Sequence, residues 1–422
     1  SWLAADICSG NEDSNPGTFS GFTVVGNWIY FDASCASTGS ELWAHSVLSG
    51  STYMLTDSSG SDSSYPGALS GLISYSDRLY FSMNDGSNGY ELWALGTSNW
   101  TTWMVADINP SGDSWPGVYA GLTMMGSRIY FDANDGTNGV ELWAYEESND
   151  TAWMVADINP SGDSDPAENG WEGKLTVMGT RLYFMAEDGT NGVELWAHET
   201  TNSSTWMVAD IYSGSSSSSP GYCSSGPQVV GTRLLFDAND GTNGVELWAH
   251  ETANGSTWMA ANINPSGSSS PGCLGQFKVV GTKVYFDAND GSNGVELWVH
   301  ETANGSTWMV TDFSFASSGL PSWSACTSVG DHCHNSAVMG TRLYMALYGP
   351  ANGIELWVIE TTDSSAWEVA NMYGVEGDPY SHNQPGLHGF TSLGNRLYYD
   401  GKTELFATEL WMMEIDHTIT YG

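Results

Sequence analysis

Basic residues are scarce in this sequence: 10 lysines and arginines stand against 49 aspartates and glutamates, a formal net charge of −39. A surface of that sign repels nucleic acid and anionic lipid and attracts cations, which argues against nucleic-acid and membrane-surface roles. Long apolar runs are missing as well, and none approaches the roughly 18 residues that a spanning helix needs. The first residue is Ser1, and no signal segment precedes the first repeat, which predicts a processed mature product. No stretch of different composition interrupts the chain, so the sequence offers no linker between domains. It also offers no convergent set of acid, base and nucleophile, and that absence argues against an enzyme.

What the chain has in quantity is aromatic and hydrophobic residues, 13% and 41% of 422. That is enough for a large core, so the acidity does not signal disorder. It also repeats. FDANDGTNGVELW occurs at Phe131–Trp143 and again at Phe236–Trp248, and FDANDGSNGVELW at Phe286–Trp298. One unit reads as four strands: Leu122–Met125, Arg128–Asp132, Val140–Glu146 and Thr151–Ile158. The turn at Gly126 and Ser127, the polar loop Ala133–Gly139 and a loop at Ser148–Asp150 separate them. The segment Asn159–Gly162 (NPSG) then breaks strand geometry and leads onward.

Glu-Leu-Trp counts the units, at Glu41, Glu91, Glu141, Glu194, Glu246, Glu296, Glu355 and Glu409. The fourth-strand segment also occurs eight times, but its first copy, Trp2–Ile7, opens the chain, and no clear copy follows the last Glu-Leu-Trp. This offset predicts an all-β fold, an eight-bladed β-propeller of four-stranded antiparallel blades closed by the N-terminal strand joining the last blade. The blades are expected at about 8–57, 58–108, 109–158, 159–211, 212–263, 264–313, 314–372 and 373–422 with 1–7, as one domain over 1–422. A straight solenoid is the rival, but it would want polar caps at both ends, whereas these ends are complementary.

The pattern Asp-Gly-x-x-Gly-x-Glu-Leu-Trp, as in Asp135–Trp143, resembles the ELWxxDGT-repeat proteins, which are secreted or surface-attached. The resemblance covers nearly the whole chain and implies a propeller-like fold and an extracellular address, with no implied chemistry. It departs after the tryptophan, where the family's Asp-Gly-Thr turn is replaced by segments such as Glu251–Thr257 (ETANGST).

Those replaced turns carry Asn-x-Ser/Thr sequons at Asn99, Asn149, Asn202, Asn254 and Asn304, all at one position of the unit. In an up-and-down blade this places N-linked glycans on one rim, with the acidic loops and serine-rich connections on the other. Six cysteines, an even number, suit an oxidising compartment. Repeat positions favour Cys8–Cys35, Cys223–Cys273 and Cys326–Cys333, although six cysteines allow fifteen connectivities.

The acidic loops present a candidate Ca²⁺ site. Asp132, Asn134 and Asp135 recur as Asp237, Asn239 and Asp240, and as Asp287, Asn289 and Asp290. Clustered oxygens on a glycine-rich loop suit this hard ion, although the spacing is not that of an EF-hand, and a tight loop capped by its own side chains explains them equally. The acidic column Asp6, Asp57, Asp107, Asp157, Asp210 and Asp312 reads as turn caps. A basic residue opens the second strand at Arg78, Arg128, Arg181, Arg233, Lys283, Arg342 and Arg396, and is expected to meet the Glu or Trp of the third strand in a cross-strand ion pair or cation–π contact. His45, His198, His250 and His300 read as surface residues. Fifteen of 20 tryptophans fall in two structural columns, leaving Trp28, Trp100, Trp115, Trp171 and Trp323 to contact a sugar or partner.

Together these features predict a secreted structural glycoprotein that self-associates into a filament, sheath or matrix, or joins other extracellular glycoproteins. A calcium-dependent carbohydrate- or protein-binding propeller is the alternative.

Overall fold

A computed structural model describes residues 6–8, 13–57, 63–68, 70–168, 174–224, 226–273, 277–311, 336–349, 353–370, 390–393, 396–403 and 406–414. Among these residues the regular structure is all strand. Seven sheets have four strands and one has three, and within each sheet strands pair antiparallel in chain order. The chain divides into two compact units, residues 1–219 and 220–422, each holding four sheets. In the first unit the sheets span 22–54, 73–106, 123–156 and 176–209; in the second they span 228–261, 278–311, 336–370 and 390–414. The last of these has the strands Phe390–Leu393, Arg396–Thr403 and Phe406–Glu414. The expected closing strand, Trp2–Ile7, lies almost wholly outside the described residues.

The third sheet shows the plan. Its strands are Thr123–Met125, Arg128–Asn134, Val140–Glu146 and Thr151–Ala156. Five consecutive residues of the second strand, Ile129–Ala133, are buried, because both faces of the sheet are covered. Ile129, Phe131 and Ala133 pack against Tyr80, Leu92 and Ala94 of the preceding sheet. Tyr130 packs instead with Leu142 and Ala144 against Leu182, Phe184 and Ala186 of the following one. The same stacking recurs in the second unit, where Phe286 and Ala288 join Leu235, Leu247 and Ala249. Each such side chain taken fully out of water contributes about 1.5–3 kcal/mol. The fourth-strand tryptophans Trp103 and Trp153 border these cores, as their column predicts.

The basic residue of the second strand makes the expected ion pair with a third-strand glutamate, while its aromatic partner is on the fourth strand. Antiparallel register sets Arg128 opposite Glu146, at the far end of the third strand from Glu141, which faces Ala133. Arg128 Nε therefore donates to Glu146 Oε2 at 2.9 Å, and its guanidinium lies 5.5 Å from the ring of Trp153 on the fourth strand. Arg181 and Arg233 repeat both contacts, with Glu199 and Trp206 and with Glu251 and Trp258. The arginine side chains are 33–37% exposed and the glutamates 11–15%, so solvent still screens the pairs and they add modestly to stability.

Glu141 does something else. It is fully buried, and its Oε2 accepts from the Ser164 hydroxyl at 2.6 Å and from the Ile158 amide at 2.8 Å. Both donors belong to the segment leaving the sheet, so a carboxylate on the third strand ties down the connection to the next sheet. Glu91 holds Ser114 and Ile108 in the same way, Glu194 holds Ser218 and Ile211, and Glu246 holds Ser269 and Ile263. Glu41 accepts from the Ser64 and Thr56 hydroxyls, both at 2.6 Å. Burial pushes Glu91 and Glu141 up to about 7, with their hydroxyl and amide donors opposing the rise.

Three of the four column histidines are also inside, and His45 is half-buried. His198, His250 and His300 are 2–3% exposed, not surface residues. Their Nδ1 atoms lie 2.8–2.9 Å from the hydroxyls of Thr205, Thr257 and Thr307. They occupy the place of Leu95, Tyr145 and Ile359 in other units, and so face a neighbouring sheet.

Replacing Ser164 by Ala leaves a buried carboxylate short of a donor and is expected to cost about 1–3 kcal/mol. Because that hydroxyl favours the charged form of Glu141, chemical denaturation should show a larger loss at about pH 8 than at about pH 5. An equal loss at both would count against this role.

Candidate functional site

Each sheet is a meander, so its third-to-fourth turn and its second-to-third loop lie at opposite ends. All five sequon asparagines sit in third-to-fourth turns and are exposed. In these turns the asparagine Oδ1 accepts from residue i+2. Asn99 takes the Thr101 hydroxyl at 2.8 Å, Asn149 that of Thr151 at 2.6 Å, and Asn202 and Asn254 those of Ser204 and Ser256 at 2.7 Å. Asn304 accepts from the Ser306 amide at 2.9 Å. The carboxamide nitrogens, which would carry a sugar, have no partner in the turn. In the seventh sheet Asp363 takes the same place and the same bond from Ser365.

Disulfides join Cys8 to Cys35 and Cys223 to Cys273, with Cα–Cα distances of 5.6 and 4.2 Å. Both match the pairing favoured from repeat positions. Cys326 and Cys333 lie outside the described residues. Together with the absence, among the described residues, of any helix long and apolar enough to cross a membrane, the disulfides are compatible with an extracellular protein.

The nine candidate calcium ligands divide between two environments. Asp132, Asp237 and Asp287 are 0–1% exposed. Asp132 accepts from the Tyr119 and Ala120 amides at 3.2 and 2.8 Å, and Asp237 from the Cys223 and Ser224 amides at 3.0 and 2.9 Å. These carboxylates thus clamp the incoming connection, as the Glu-Leu-Trp glutamates clamp the outgoing one. Burial raises Asp132 to about 7, against the opposing pull of those amides.

The other six residues cap their own loop. Asn134, Asn239 and Asn289 accept from the glycine amides two residues on at 2.7–2.8 Å. Asp135 Oδ1 accepts from the Thr137 and Asn138 amides, and Oδ2 from Asn138 Nδ2 at 2.7 Å. Asp240 and Asp290 repeat this with Asn243 and Asn293. Partial burial alone would raise Asp135, but the amides of Asn138 and Thr137 hold it below its usual range. Among the described residues no three His, Cys, Asp or Glu side chains converge as metal ligands. The turn-cap explanation fits this geometry, because these oxygens already have donors.

One cleft in the first unit has a different lining. It measures about 380 Å³ and lies between the connection after the second sheet and the acidic loop of the third, lined by Asn109, Asp113, Trp115, Asn134, Gly136 and Thr137. Gly136, at φ +76°, lets the loop approach, since a Cβ there would lie 2.7 Å from Asn109 Oδ1. Trp115 is 38% exposed and stacks on Tyr90, with centroids 4.4 Å apart and planes 19° from parallel. Of the other tryptophans outside the columns, Trp28 and Trp100 pack edge to face at 4.8 Å, and Trp171 and Trp323 lie outside the described residues.

The backbone around Trp115 is unusual. Trp115 has φ +50° and precedes a proline, and Asn15, Tyr65, Asp165, Ser219 and Ser270 do the same at 44–49°. Non-glycine residues held there cost on the order of 1–3 kcal/mol each. The signal in the sequence is the recurring Ser-x-Pro, as in Ser64–Pro66 and Ser114–Pro116, whose serine is the hydroxyl donor to Glu-Leu-Trp. Sequence reasoning passed over it.

No protein-family profile matches the chain, and no curated protein matches it. Among solved structures it is similar to a puromycin hydrolase, at 12% identity and TM-score 0.44 over 92% of this chain and 58% of that one. It is also similar to a prolyl endopeptidase (10%, 0.45, covering 83% and 49%) and to TolB from Acinetobacter baumannii (12%, 0.31, covering 82% and 77%). The chain thus spans little more than half of the puromycin hydrolase. Likeness of this degree carries no chemistry.

The buried carboxylates set an expected pH dependence. Burial raises Glu91, Glu141, Asp132 and Asp165 to about 7 in the folded state, and raises Glu194, Glu246 and Asp237 in the same direction. Their contribution is full below their unfolded pKa and is lost as pH rises through the folded value. Burial lowers His198 to about 4 and also lowers His300, which opposes this trend between about pH 6.5 and 4. Asp135 and Glu199, held below their usual range, withdraw stability only in stronger acid. With more carboxylates than histidines shifted, the melting temperature is expected to rise from about pH 8 to a maximum near pH 5 and to fall below it. A maximum at or above neutrality in a calorimetric series would contradict this account.

Proposed function

We propose that this protein is a secreted, N-glycosylated structural or surface glycoprotein, a subunit of an extracellular filament, sheath or matrix. The observation that carries the reading is the repeated exposed sequon turn at Asn99, Asn149, Asn202, Asn254 and Asn304. In each unit the sugars would crowd one end of the sheets and leave the other end free for contact. Disulfides and the resemblance of the Asp-Gly-x-x-Gly-x-Glu-Leu-Trp repeats to secreted repeat proteins support the extracellular address. A charge of −39 opposes self-association, so cations or the glycans themselves would mediate it. The chain would close as an eight-bladed ring, Trp2–Ile7 adding a fourth strand to the three-stranded last sheet.

The second reading is a binding propeller. It is favoured by the Tyr90–Trp115 cleft, and calcium is not needed for it, because the loop oxygens already have donors.

Two measurements on native material test the proposal. Glycopeptide mass spectrometry is expected to find sugar on all five asparagines, and unmodified peptides at these positions would overturn the glycoprotein reading. Electron microscopy is expected to show ordered polymers, with averages of dissociated subunits showing eight-bladed rings. Monomers at every cation concentration would remove the assembly role, and open arcs would remove closure.

A further inference from the structure

The repeats supply an internal control. What the fold demands recurs in every unit, so a feature confined to one unit is a candidate for function. The connection after the third sheet keeps the framework of the one after the second: Asn159 matches Asn109, Asp163 matches Asp113 and Ser164 matches Ser114. The framework bonds are the same as well, since Asp113 Oδ1 accepts from the Tyr90 amide at 2.8 Å and Asp163 Oδ1 from the Val140 amide at 2.7 Å. The displayed pair differs, and Glu187 stands where the cleft has Asn134. Trp115 and Tyr90 become Asp165 and Val140, and valine holds the second place again at Val193, Val245 and Val295. Neither aromatic is therefore required by the sheet or by the connection. They nevertheless stack on each other beside a cleft.

From this juxtaposition we infer that the cleft of Asp113, Trp115, Asn134 and Thr137, its indole stacked on Tyr90, is a metal-independent binding site for a neutral saccharide. The inference rests on the binding reading above and is independent of assembly. A pyranose offers an apolar C–H face and a rim of hydroxyls. The Trp115 ring, fixed by Tyr90, suits the face. Among the described residues Asp113 Oδ2 and Asn134 Nδ2 have no internal partner, and they supply an acceptor and a donor for the rim, with the Thr137 hydroxyl beside them. A few convergent polar groups beside a large ring is the usual composition of a small-ligand site. Asp113 and the net charge of −39 disfavour anionic sugars. On the same end of the first unit Phe19 and Tyr65 form a second exposed pair, edge to face at 5.7 Å, which would extend the surface for a longer chain.

The test uses the full chain, in glycosylated and enzymatically deglycosylated forms, against an array of neutral oligosaccharides and glycopeptides released from the protein itself, with chelator present. Selective binding of a neutral saccharide is expected from both forms, weakened about tenfold or more by Trp115→Ala with the melting temperature unchanged. Capture of the released glycopeptides would identify neighbouring copies as the source of the ligand, and capture of external oligosaccharides alone would identify a free sugar. Val140→Tyr and Asp165→Trp together with Glu187→Asn are expected to build a second site and to raise the calorimetric stoichiometry from about one to about two. The inference is overturned if no neutral saccharide binds, if Trp115→Ala binds as well as the parent, if chelator abolishes binding, or if a quaternary ammonium or basic peptide is selected instead. None of these outcomes bears on glycan occupancy or polymer formation, so this proposal and the structural one can fail separately.

Discussion

The buried carboxylate of the third strand is the contact on which the rest of this structure depends. A four-stranded meander has two apolar faces and can bury them only against its neighbours, so the geometry of each connection decides whether the sheets stack. Glu141 reads that geometry by accepting from Ile158 and Ser164 at once, and Asp132 does the same from the other side through Tyr119 and Ala120. A buried charge without such donors is strongly destabilising, whereas one with them specifies position. In these units the connections, rather than the strands, are held by electrostatics, and the strands are held by packing.

The same arrangement accounts for what was legible in the sequence. Strand order, the turns and the burial of the tryptophan columns follow from local periodicity, and all of them can be read from one unit such as 122–162. The cystine pairs Cys8–Cys35 and Cys223–Cys273 could be read because repeat position fixes which end of a sheet a residue occupies. Residue type was less informative than position. Asp132 and Asp135 are three residues apart in one acidic motif, yet one is sealed within the sheet stack and the other caps an exposed turn. Strand alternation separates them, and a count of oxygens cannot. His198 was misread for the same reason: its alignment with Leu95 and Tyr145 placed it inside, while its chemistry suggested solvent.

Register explains the remaining difference. Arg128 opens the second strand, so antiparallel pairing sets it against the last residue of the third strand, Glu146, and sets Glu141 at the other end against Ala133. The cation then covers Trp153 at the end of the sheet that bears the sequon turns. That end is thus built from repeated, self-satisfying contacts, whereas the opposite end carries the residues that vary from unit to unit. Division of this kind, with a constant framework at one end and a variable surface at the other, is how folds accept new binding roles without losing stability.

The left-handed residue before the proline of these Ser-x-Pro segments draws these threads together. Its neighbours are fixed by hydroxyl and carboxylate, but its own side chain points away from every sheet core, and asparagine, tyrosine, tryptophan, aspartate and serine all occupy it. Such a position is a socket. Within a unit, a single nucleotide change there could alter what the molecule touches while leaving how it folds untouched, so a series of duplicated units would diversify its contacts one residue at a time.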